Sequence, residues 1–407
     1  MNDVLLPRLA VDSLDHRLRV MPVAVVTGAR QTGKSTLVGQ LAGEHRRYIT
    51  LDDLDARSAA HDDPELLLAG EQPVTLDEVQ REPELMNAVK RAVDRRRRPG
   101  QFLLTGSANL LLMRRVSESL AGRASYLNLW PMTRREQRGL GPGGMWESLL
   151  TTDERQWIDL LRSQPCEQAD WRALARRGGF PVPALQLERD QDRAIWFDGY
   201  VRTYLERDLQ DIANISALPD FRRVMRATCL RVGQILNQSD LARDISLTQP
   251  TAHRYLNLLE TSYLFVRLPA YTVNRTKRLV KSPKAYWSDT GLAMHLSQET
   301  EPRGEHLENI VLHDLLAWRD SRTAPAELYY WRTASGAEVD FVIESGGRLL
   351  PIEVKSSARP RLRDTRHLRT FIEEYEDRSR PGLLLHDGDA PEWIASNVLA
   401  APWWMVI

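Results

Sequence analysis

Apolar and polar positions alternate in a regular way along the first 135 residues. Short apolar runs predict buried strands, and stretches with helical spacing lie between them. Strands separated by helices are typical of a parallel sheet that is covered by helices. The chain therefore begins with a predicted α/β domain. The predicted strands are Val23–Thr27, Arg47–Leu51, Val74–Asp77, Gln101–Thr105 and Ser125–Leu129, and helices are predicted at Lys34–Leu41, Pro64–Ala69 and Pro83–Arg97.

The pattern changes after residue 139, where a segment rich in glycine breaks it. Residues 145–232 have mostly helical spacing. Ser239 can then cap a short helix, and Thr248 can cap a longer helix that runs to about Glu260. An apolar strand, Leu264–Leu268, follows. This order of elements predicts a small winged-helix unit.

A third pattern fills the remainder of the chain, from about residue 290. A helix at Gly304–Trp318 precedes three predicted strands, which indicates a second α/β unit. The strands are Glu327–Thr333, Glu338–Glu344 and Leu349–Val354. We therefore predict three domains, at residues 1–140, 141–290 and 291–407.

Charge is distributed unevenly along a chain whose net charge is zero. Residues 51–84 contain eleven Asp/Glu and two Arg, whereas residues 221–284 contain twelve Arg/Lys and three Asp/Glu, a local charge of +9 (12 − 3). Arg95–Arg98 is a second basic cluster. Such segments predict a site for a polyanion, or equally a solvated face or a surface that pairs with the acidic segment of a neighbouring domain or subunit.

The composition also indicates a compartment. Two cysteines cannot form a disulfide framework, and the first twenty residues lack the pattern of a signal peptide. No stretch reaches 18 apolar residues, so no membrane partner is expected. We therefore predict a cytoplasmic protein.

A phosphate-binding loop follows the first predicted strand. The segment fits the pattern G-x-x-x-x-G-K-[ST] and lies between a strand and a helix, as a phosphate loop requires. Backbone N–H groups and the helix N-terminus can hold the phosphates of ATP, the lysine can reach the outer phosphates, and Ser35 can bind Mg²⁺. The loop residues are Gly28, Ala29, Arg30, Gln31, Thr32, Gly33, Lys34, Ser35 and Thr36.

Two acidic residues end the third predicted strand, about forty positions later. Asp77 is predicted to order the Mg²⁺ ion, and Glu78 to act as the base or to position the attacking water. A switch that only binds a nucleotide does not need that glutamate. The pair therefore predicts hydrolysis.

Two further residues are candidates for catalysis. Ser107, with Asn109 as the second choice, follows the predicted strand Gln101–Thr105 and could contact the γ-phosphate or the water. Arg123 follows Gly122 and could be presented to the phosphate of a neighbouring subunit. Turn-forming and surface roles are the alternatives for these residues.

The C-terminal unit contains charged residues within apolar strands. Asp340 lies in one strand, and Glu353 and Lys355 lie in the next, while Glu308 lies on the preceding helix. This set is the PD-(D/E)xK pattern of metal-dependent nucleases, in which carboxylates hold Mg²⁺ or Mn²⁺ and the lysine activates water. The pattern predicts a nuclease-like fold. Whether the site cleaves DNA or is a structural carboxylate–lysine network is left open by the residues.

The basic segment carries candidate DNA contacts. The helix after Thr248 contains residue types that meet base edges or phosphates, and further cations follow the predicted wing. Packing against the ATPase domain is the alternative. The candidates are Gln249, Thr251, Arg254, Arg275, Lys277 and Arg278.

The order of these motifs resembles the prokaryotic AAA+-type P-loop ATPases that carry a C-terminal domain of unknown function. The resemblance covers nearly the whole chain, and it implies ATP hydrolysis by an oligomerising ATPase domain. The matching segments are the phosphate loop, LDEVQ at 76–80, LLTGSANLLLM at 103–113, SLAGR at 119–123, YVRTYLERDL at 200–209, GAEVDFVIE at 336–344 and PIEVKSS at 351–357.

These features together predict an Mg²⁺-dependent ATPase that works on DNA, with branched or duplex DNA favoured. A shared arginine would imply a homo-oligomer, either a ring, with a hexamer favoured, or a dimer. One alternative is an ATP-dependent defence or restriction nuclease. Another is an ATP-gated switch or scaffold that acts on protein partners.

Overall fold

The first five strands form one parallel sheet. The computed structural model describes residues 5–42, 45–106, 120–141, 143–165, 167–208, 217–274, 278 and 281–407. The strands are β1 (Val23–Thr27), β2 (Arg47–Thr50), β3 (Val74–Asp77), β4 (Phe102–Thr105) and β5 (Ala124–Asn128). Their order is β2-β3-β4-β1-β5, and every neighbouring pair is parallel. The predicted α/β fold is confirmed.

Helices cover both faces of this sheet. Successive residues of a strand point to opposite faces, so Val23 and Val25 of β1 pack in one apolar cluster while Ala24 and Val26 pack in another. The central position of β1 explains its continuous apolar sequence. The helices of this region are Ala10–Val20, Lys34–Ala42, Leu54–Asp62, Pro64–Leu67 and Leu85–Arg95, with a 3₁₀ turn at Val79–Arg81.

The middle of the chain is helical until residue 261. Short helices span Arg134–Gln137, Trp146–Thr151, Trp157–Arg162, Trp171–Arg177 and Pro181–Leu185, with a 3₁₀ turn at Glu154–Gln156. The helix Asp190–Tyr200 continues as a π-helical segment, Val201–Asp208, and the helix Leu218–Cys229 follows.

Two capped helices and a hairpin come next, in the predicted order. Asn237, rather than Ser239, caps the helix Gln238–Asp244, because its side chain accepts from the N–H groups at the start of that helix. Thr248 caps the helix Gln249–Thr261, as predicted. Strand β6 (Phe265–Leu268) then pairs antiparallel with β7 (Lys284–Trp287).

The C-terminal region contains a six-stranded sheet in the order β12-β13-β11-β10-β9-β8. The helices Thr290–Ser297 and Gly304–Asp320 precede it, a 3₁₀ turn at Leu362–Thr365 and the helix Arg366–Glu374 connect β10 to β11, and the helix Trp403–Val406 follows. The strands are β8 (Ala326–Arg332), β9 (Glu338–Ser345), β10 (Arg348–Val354), β11 (Gly382–His386), β12 (Glu392–Ala395) and β13 (Val398–Pro402).

The hairpin between β9 and β10 sets the register of the charged residues. Gly346 and Gly347 both have positive φ, which suits a two-residue turn, and Ser345 pairs with Arg348. One cluster of buried apolar side chains joins Ala29 to residues between Trp130 and Ile407. None of the helices in the described ranges combines the length and the apolar character that crossing a membrane requires.

Candidate functional site

The phosphate loop connects β1 to the helix Lys34–Ala42. Gly28 has a φ of 143°, and a Cβ atom there would lie 2.3 Å from the carbonyl oxygen of Leu129. Gly33 has a φ of 92°, and Gln31, although not a glycine, has a φ of 61°. The loop therefore needs its first glycine for close packing as well as for its backbone conformation.

Lys34 lies against the inside of its own loop. Its Nζ atom donates to the carbonyl oxygens of Ala29 at 2.8 Å and Gly28 at 3.3 Å. Burial lowers the pKa of Lys34 to about 8, although the charges of Glu78 and Asp77 oppose this change. Thr32 is also buried and donates to the carbonyl oxygen of Ala29 at 3.1 Å.

Ser35 and Thr36 are exposed at the start of the helix. The hydroxyl of Ser35 lies 3.1 Å from Oδ1 of Asp77, at the carboxyl end of β3. A serine hydroxyl and a carboxylate at this separation fit two ligands of a Mg²⁺ ion that also binds nucleotide phosphates. The structure thus brings together the two predicted metal-binding residues.

Asp77 has two further partners, which the sequence did not reveal. The phenol of Tyr48 donates to Oδ2 at 2.7 Å, and the hydroxyl of Thr105 donates to Oδ1. Burial, together with the hydrogen bond to Asp77, raises the pKa of Tyr48 well above its usual range. These contacts hold the carboxylate in one orientation.

Glu78 has a left-handed backbone conformation, with a φ of 59°. Its N–H group donates to the hydroxyl of Thr105 at 3.2 Å, and Gln80 donates to its carboxylate. A left-handed glutamate is unusual, and such conformations cluster at functional sites. Thr105 therefore links the backbone of Glu78 to the side chain of Asp77.

Strand β4 lies between β1 and β3, as the sequence predicted for the third element of the site. Thr105 is its last residue. Ser107 and Asn109, the residues chosen for this role, lie outside the described residues. Thr105, the polar residue at the end of β4, was not among the predicted site residues. A buried threonine has the pattern of an ordinary strand residue, so the sequence did not single it out.

Several side chains from other elements contact the loop. Arg8 donates to the carbonyl oxygen of Thr32 at 2.8 Å, and Tyr200 donates to that of Arg30 at 3.4 Å. The guanidinium of Arg30 lies over the ring of Tyr204 at 5.5 Å. The loop is therefore held by the N-terminal segment and by the middle of the chain.

Arg123 lies at the amino ends of the strands, whereas the phosphate loop lies at their carboxyl ends. It precedes β5, whose first residue pairs with Val23 at the start of β1, whereas the loop follows the end of β1. Its guanidinium forms a two-point ion pair with Asp94, at 2.6 and 3.1 Å. Five residues of strand span about 16 Å, so Arg123 does not reach the phosphate loop of its own chain.

The Arg95–Arg98 cluster pairs with the acidic segment of the same domain. Arg96 and Arg98 contact the carboxylate of Glu71 at 2.5 and 3.1 Å. Arg95 contacts Glu65 at 2.8 Å. The structure thus shows pairing within one domain, a contact that the sequence did not predict.

The C-terminal charged residues meet as predicted, but a lysine from β7 joins them. Asp340 on β9 and Glu353 on β10 lie near Glu308 on the helix Gly304–Asp320. Lys355 donates to Oε1 of Glu353 at 2.5 Å. Lys284 contacts Asp340 at 3.1 Å and Glu308 at 3.9 Å.

A second site for Mg²⁺ or Mn²⁺ is not seen among the described residues. No group of three or more Asp, Glu, His or Cys side chains within the described ranges has the geometry of a metal site. Burial and the nearby charge of Asp340 raise the pKa of Glu308 well above its usual range, and they raise the pKa of Glu353 to about 8.

The helix Gln249–Thr261 exposes one polar face. Ala252, Leu256 and Leu259 are buried on its other face. Gln249 and Arg254 are exposed, and Thr251 is partly buried against Thr248. The three candidate residues of this helix therefore lie at or near the surface.

Cations of the basic segment, residues 221–284, form ion pairs within the protein, although a DNA contact was predicted for this segment. Arg278 is 9% exposed and donates to Glu344 at 2.7 Å and to the phenol of Tyr329 at 2.8 Å. It is consequently not available to DNA, which corrects its prediction as a DNA contact; Arg275 and Lys277 lie outside the described residues. Six cations of residues 221–284 form ion pairs with carboxylates in the described part of the chain: Arg223, Arg231, Arg243, Arg267, Arg278 and Lys284.

Three family models match successive parts of the chain. Residues 21–137 match an AAA domain. Residues 168–303 match a domain of unknown function (DUF8612), and residues 303–406 match another (DUF4143). The first match covers the parallel sheet and the phosphate loop, which agrees with the ATPase site described above.

Relatives share this organisation over most of their length. The uncharacterized proteins Rv2008c of Mycobacterium tuberculosis and Mb2031c of Mycobacterium bovis are 34% identical over 365 residues, which cover 87% of this chain and 74% of each relative. The chain belongs to the family of these proteins. An uncharacterized protein of Haemophilus influenzae is 22% identical over 87% of both chains. Among solved structures, the Walker-type ATPase PABY2304 of Pyrococcus abyssi is 16% identical over 72% of this chain and 98% of its own, with a TM-score of 0.44. The AAA match at residues 21–137 makes this family member a P-loop ATPase of the AAA type.

Proposed function

We propose that the protein is an Mg²⁺-dependent ATP hydrolase whose hydrolysis drives work on DNA. The observation that carries the first part is the joined set of Ser35, Asp77 and Glu78, in which a metal-binding pair lies beside a glutamate held in a left-handed conformation. A protein that only binds nucleotide has no use for such a fixed carboxylate.

Each residue has a separate role in this proposal. Lys34 and the loop N–H groups bind the phosphates, and Ser35 and Asp77 hold Mg²⁺, which supplies charge stabilisation to the phosphates. Glu78 orients the attacking water and accepts its proton. Lys34 must leave the carbonyl oxygens of Ala29 and Gly28 to reach a phosphate, so nucleotide binding rearranges the loop.

Two substitutions test the hydrolysis step. We expect Lys34→Ala to abolish ATP turnover by removing phosphate binding, and Glu78→Gln to retain bound ATP while hydrolysis is lost. ATP binding and phosphate release are measured separately. Lys90→Ala and Glu84→Gln are matched controls of the same charge change on a neighbouring helix. Unchanged turnover in Lys34→Ala would exclude this site as the ATPase centre.

The DNA part of the proposal is supported by the helix Gln249–Thr261. Its N-terminal half presents Gln249, Thr251 and Arg254, and its buried face is fixed by the apolar core. A capped helix with an exposed polar N-terminal half, followed by a hairpin, is the form in which winged helices approach a DNA groove. Because Arg278 and Lys284 are engaged elsewhere, the expected contact involves few phosphates and a modest salt dependence.

The DNA role is tested by the ATPase rate against single-stranded, duplex and four-way-junction DNA. We expect one class to stimulate turnover and the double substitution Gln249→Ala with Arg254→Ala to remove that stimulation without lowering the basal rate. His16→Ala, outside this helix, is the control. Basal activity that no DNA changes would instead favour an ATP-gated switch that acts on protein partners.

A further inference from the structure

Lys284 is a buried cation surrounded by carboxylates. Its side chain is 2% exposed, and its Nζ atom lies 2.6 Å from Glu338, 3.1 Å from Asp340 and 3.9 Å from Glu308. A buried ammonium is costly unless its N–H groups have acceptors. The hydrogen bond to Asp340 and the negative charges of the two glutamates compensate this cost.

The carboxylate oxygens around Lys284 have protein donors. Oδ1 of Asp340 faces Lys284 and Oδ2 accepts from the N–H of Val354 at 3.0 Å. Oε2 of Glu308 accepts from the phenol of Tyr286 at 3.2 Å, and Oε1 of Glu353 accepts from Lys355. A Mg²⁺ or Mn²⁺ ion needs about six oxygen ligands at roughly 2.0–2.2 Å. These oxygens cannot turn toward a metal without losing their present donors.

One oxygen in the cluster differs from the others. Oε2 of Glu353 is buried and has no hydrogen-bond partner, although its residue is only 5% exposed. An orphaned buried oxygen carries a desolvation cost. It is one oxygen without a partner, whereas a divalent ion needs about six oxygen ligands.

We propose that Lys284 is the built-in cation of this carboxylate set, occupying the space that a divalent metal takes in metal-dependent nucleases. The C-terminal domain therefore binds no Mg²⁺ or Mn²⁺ and does not cleave nucleic acid. Lys284 lies on β7, which pairs with β6, whereas the carboxylates lie on β9, β10 and the helix Gly304–Asp320. Its ammonium thus also ties the middle of the chain to the C-terminal sheet.

The test is Mn²⁺ binding in the absence of nucleotide, measured from the electron paramagnetic resonance signal of free Mn²⁺. Lys284→Met removes the charge and keeps most of the side-chain volume. We expect this variant to bind one Mn²⁺ at least about tenfold more tightly than the wild-type protein, because three carboxylates lose the cation that they share. Adding Glu353→Gln should return the affinity to that of the wild type. Lys281→Met, at an exposed lysine three positions earlier, is the matched control and should change nothing.

Three results would overturn the proposal. One is a Mn²⁺ site in the wild-type protein that Asp340→Asn removes. The other is a folded Lys284→Met variant with no gain in Mn²⁺ affinity. DNA cleavage by the wild type that Asp340→Asn abolishes would also contradict it.

A second measurement on the wild-type protein decides the matter if Lys284→Met does not fold. Amine labelling followed by mass spectrometry compares Lys284 with Lys281 at increasing Mn²⁺. We expect Lys284 to react at least about tenfold more slowly than Lys281 at every Mn²⁺ concentration, since its ammonium is enclosed. Labelling of Lys284 that rises with Mn²⁺ would show that metal displaces the lysine, and equal labelling of the two lysines would show that the cluster is open.

Discussion

Thr105 connects the two acidic residues of the ATPase site. Its hydroxyl donates to Asp77 and accepts from the N–H of Glu78, and its side chain is fully buried. A hydroxyl can do both at once, because it has a donor and two acceptor lone pairs. The orientation of the metal-binding carboxylate is therefore coupled to the backbone that positions the base.

We expect Thr105→Val to lower kcat by at least about tenfold while the affinity for ATP changes by less than about threefold. Valine has the shape of threonine but no hydroxyl, so the strand survives and the two hydrogen bonds do not. Thr105→Ser should restore most of the rate. A Thr105→Val variant with normal kcat and weak ATP binding would show that the hydroxyl serves binding alone.

Asp289 is a buried carboxylate that stability measurements can detect. It accepts from the N–H groups of Gly179 at 2.6 Å and Leu292 at 2.8 Å, and burial nevertheless raises its pKa to about 6. Because the pKa in the folded protein is the higher one, its contribution to stability is present below about pH 4 and is lost as the pH rises through about 6.

The comparison of wild type with Asp289→Asn isolates this effect. Between pH 4 and pH 7, we expect the wild type to lose on the order of 3 kcal/mol of unfolding free energy relative to the variant. Urea unfolding at four pH values gives this difference, and the titration of other groups such as His313 cancels in it. A difference that is constant with pH would mean that Asp289 does not change protonation in this range.

At the scale of elements, the segment that follows β5 restricts position 28 of the phosphate loop to glycine. The loop leaves β1 where the chain after β5 passes close by, which places the carbonyl oxygen of Leu129 within 2.3 Å of a Cβ at position 28. The contact is between two backbones. Neither can yield without moving a strand of the sheet.

We expect Gly28→Ala to weaken ATP binding at least about tenfold and to destabilise the fold by about 2 kcal/mol or more. Gly39→Ala is the control, since nothing lies within 4 Å of a Cβ there and the residue belongs to the helix Lys34–Ala42. It should stabilise the protein by about 0.5–1 kcal/mol and leave binding unchanged. Thermal unfolding and binding of a fluorescent ATP analogue measure both effects, and equal behaviour of the two variants would contradict the steric argument.

Local sequence patterns predicted many of the helix and strand bounds. The bounds of β1 and β3 were predicted to the residue, because an apolar run ends at Gly28 in one case and at an acidic pair in the other. Helix caps were harder, since Asn237 and Ser239 are both good capping residues and only the backbone decides between them.

Contacts between distant segments were not predictable from local patterns. Lys284 and Arg278 belong to a basic segment of the sequence, whereas Asp340 and Glu344, which accept their hydrogen bonds, lie more than fifty residues further on. Tyr48 and Thr105 likewise meet Asp77 only through the order of the strands. A single sequence shows which charges exist but not which of them the fold brings together.

At the scale of the whole molecule, the position of Arg123 allows a test of shared sites. It lies at the end of the sheet opposite the phosphate loop of its own chain. Any nucleotide phosphate that it contacts would therefore belong to a second copy of the chain. We expect Arg123→Ala to lower ATP turnover by at least about tenfold. Its mixture with Glu78→Gln should recover part of the activity, because an intact base then meets an intact arginine.

The control mixture combines Lys34→Ala with Glu78→Gln, in which both phosphate sites are defective and no recovery is expected. Asp94→Asn tests the ion pair that holds Arg123 in this structure. No loss of turnover in Arg123→Ala, or no recovery in the mixture, would assign Arg123 a purely structural pairing with Asp94.

The ion pairs of Lys284 also bear on how this family could have diversified. The lysine falls within the segment 168–303, whereas Asp340 and Glu308 fall within the segment 303–406. Recombination that exchanged only the second segment between relatives would leave either a lone buried ammonium or several uncompensated carboxylates. We expect the two segments to be inherited together, and a change at position 284 to be accompanied by changes at its acidic partners.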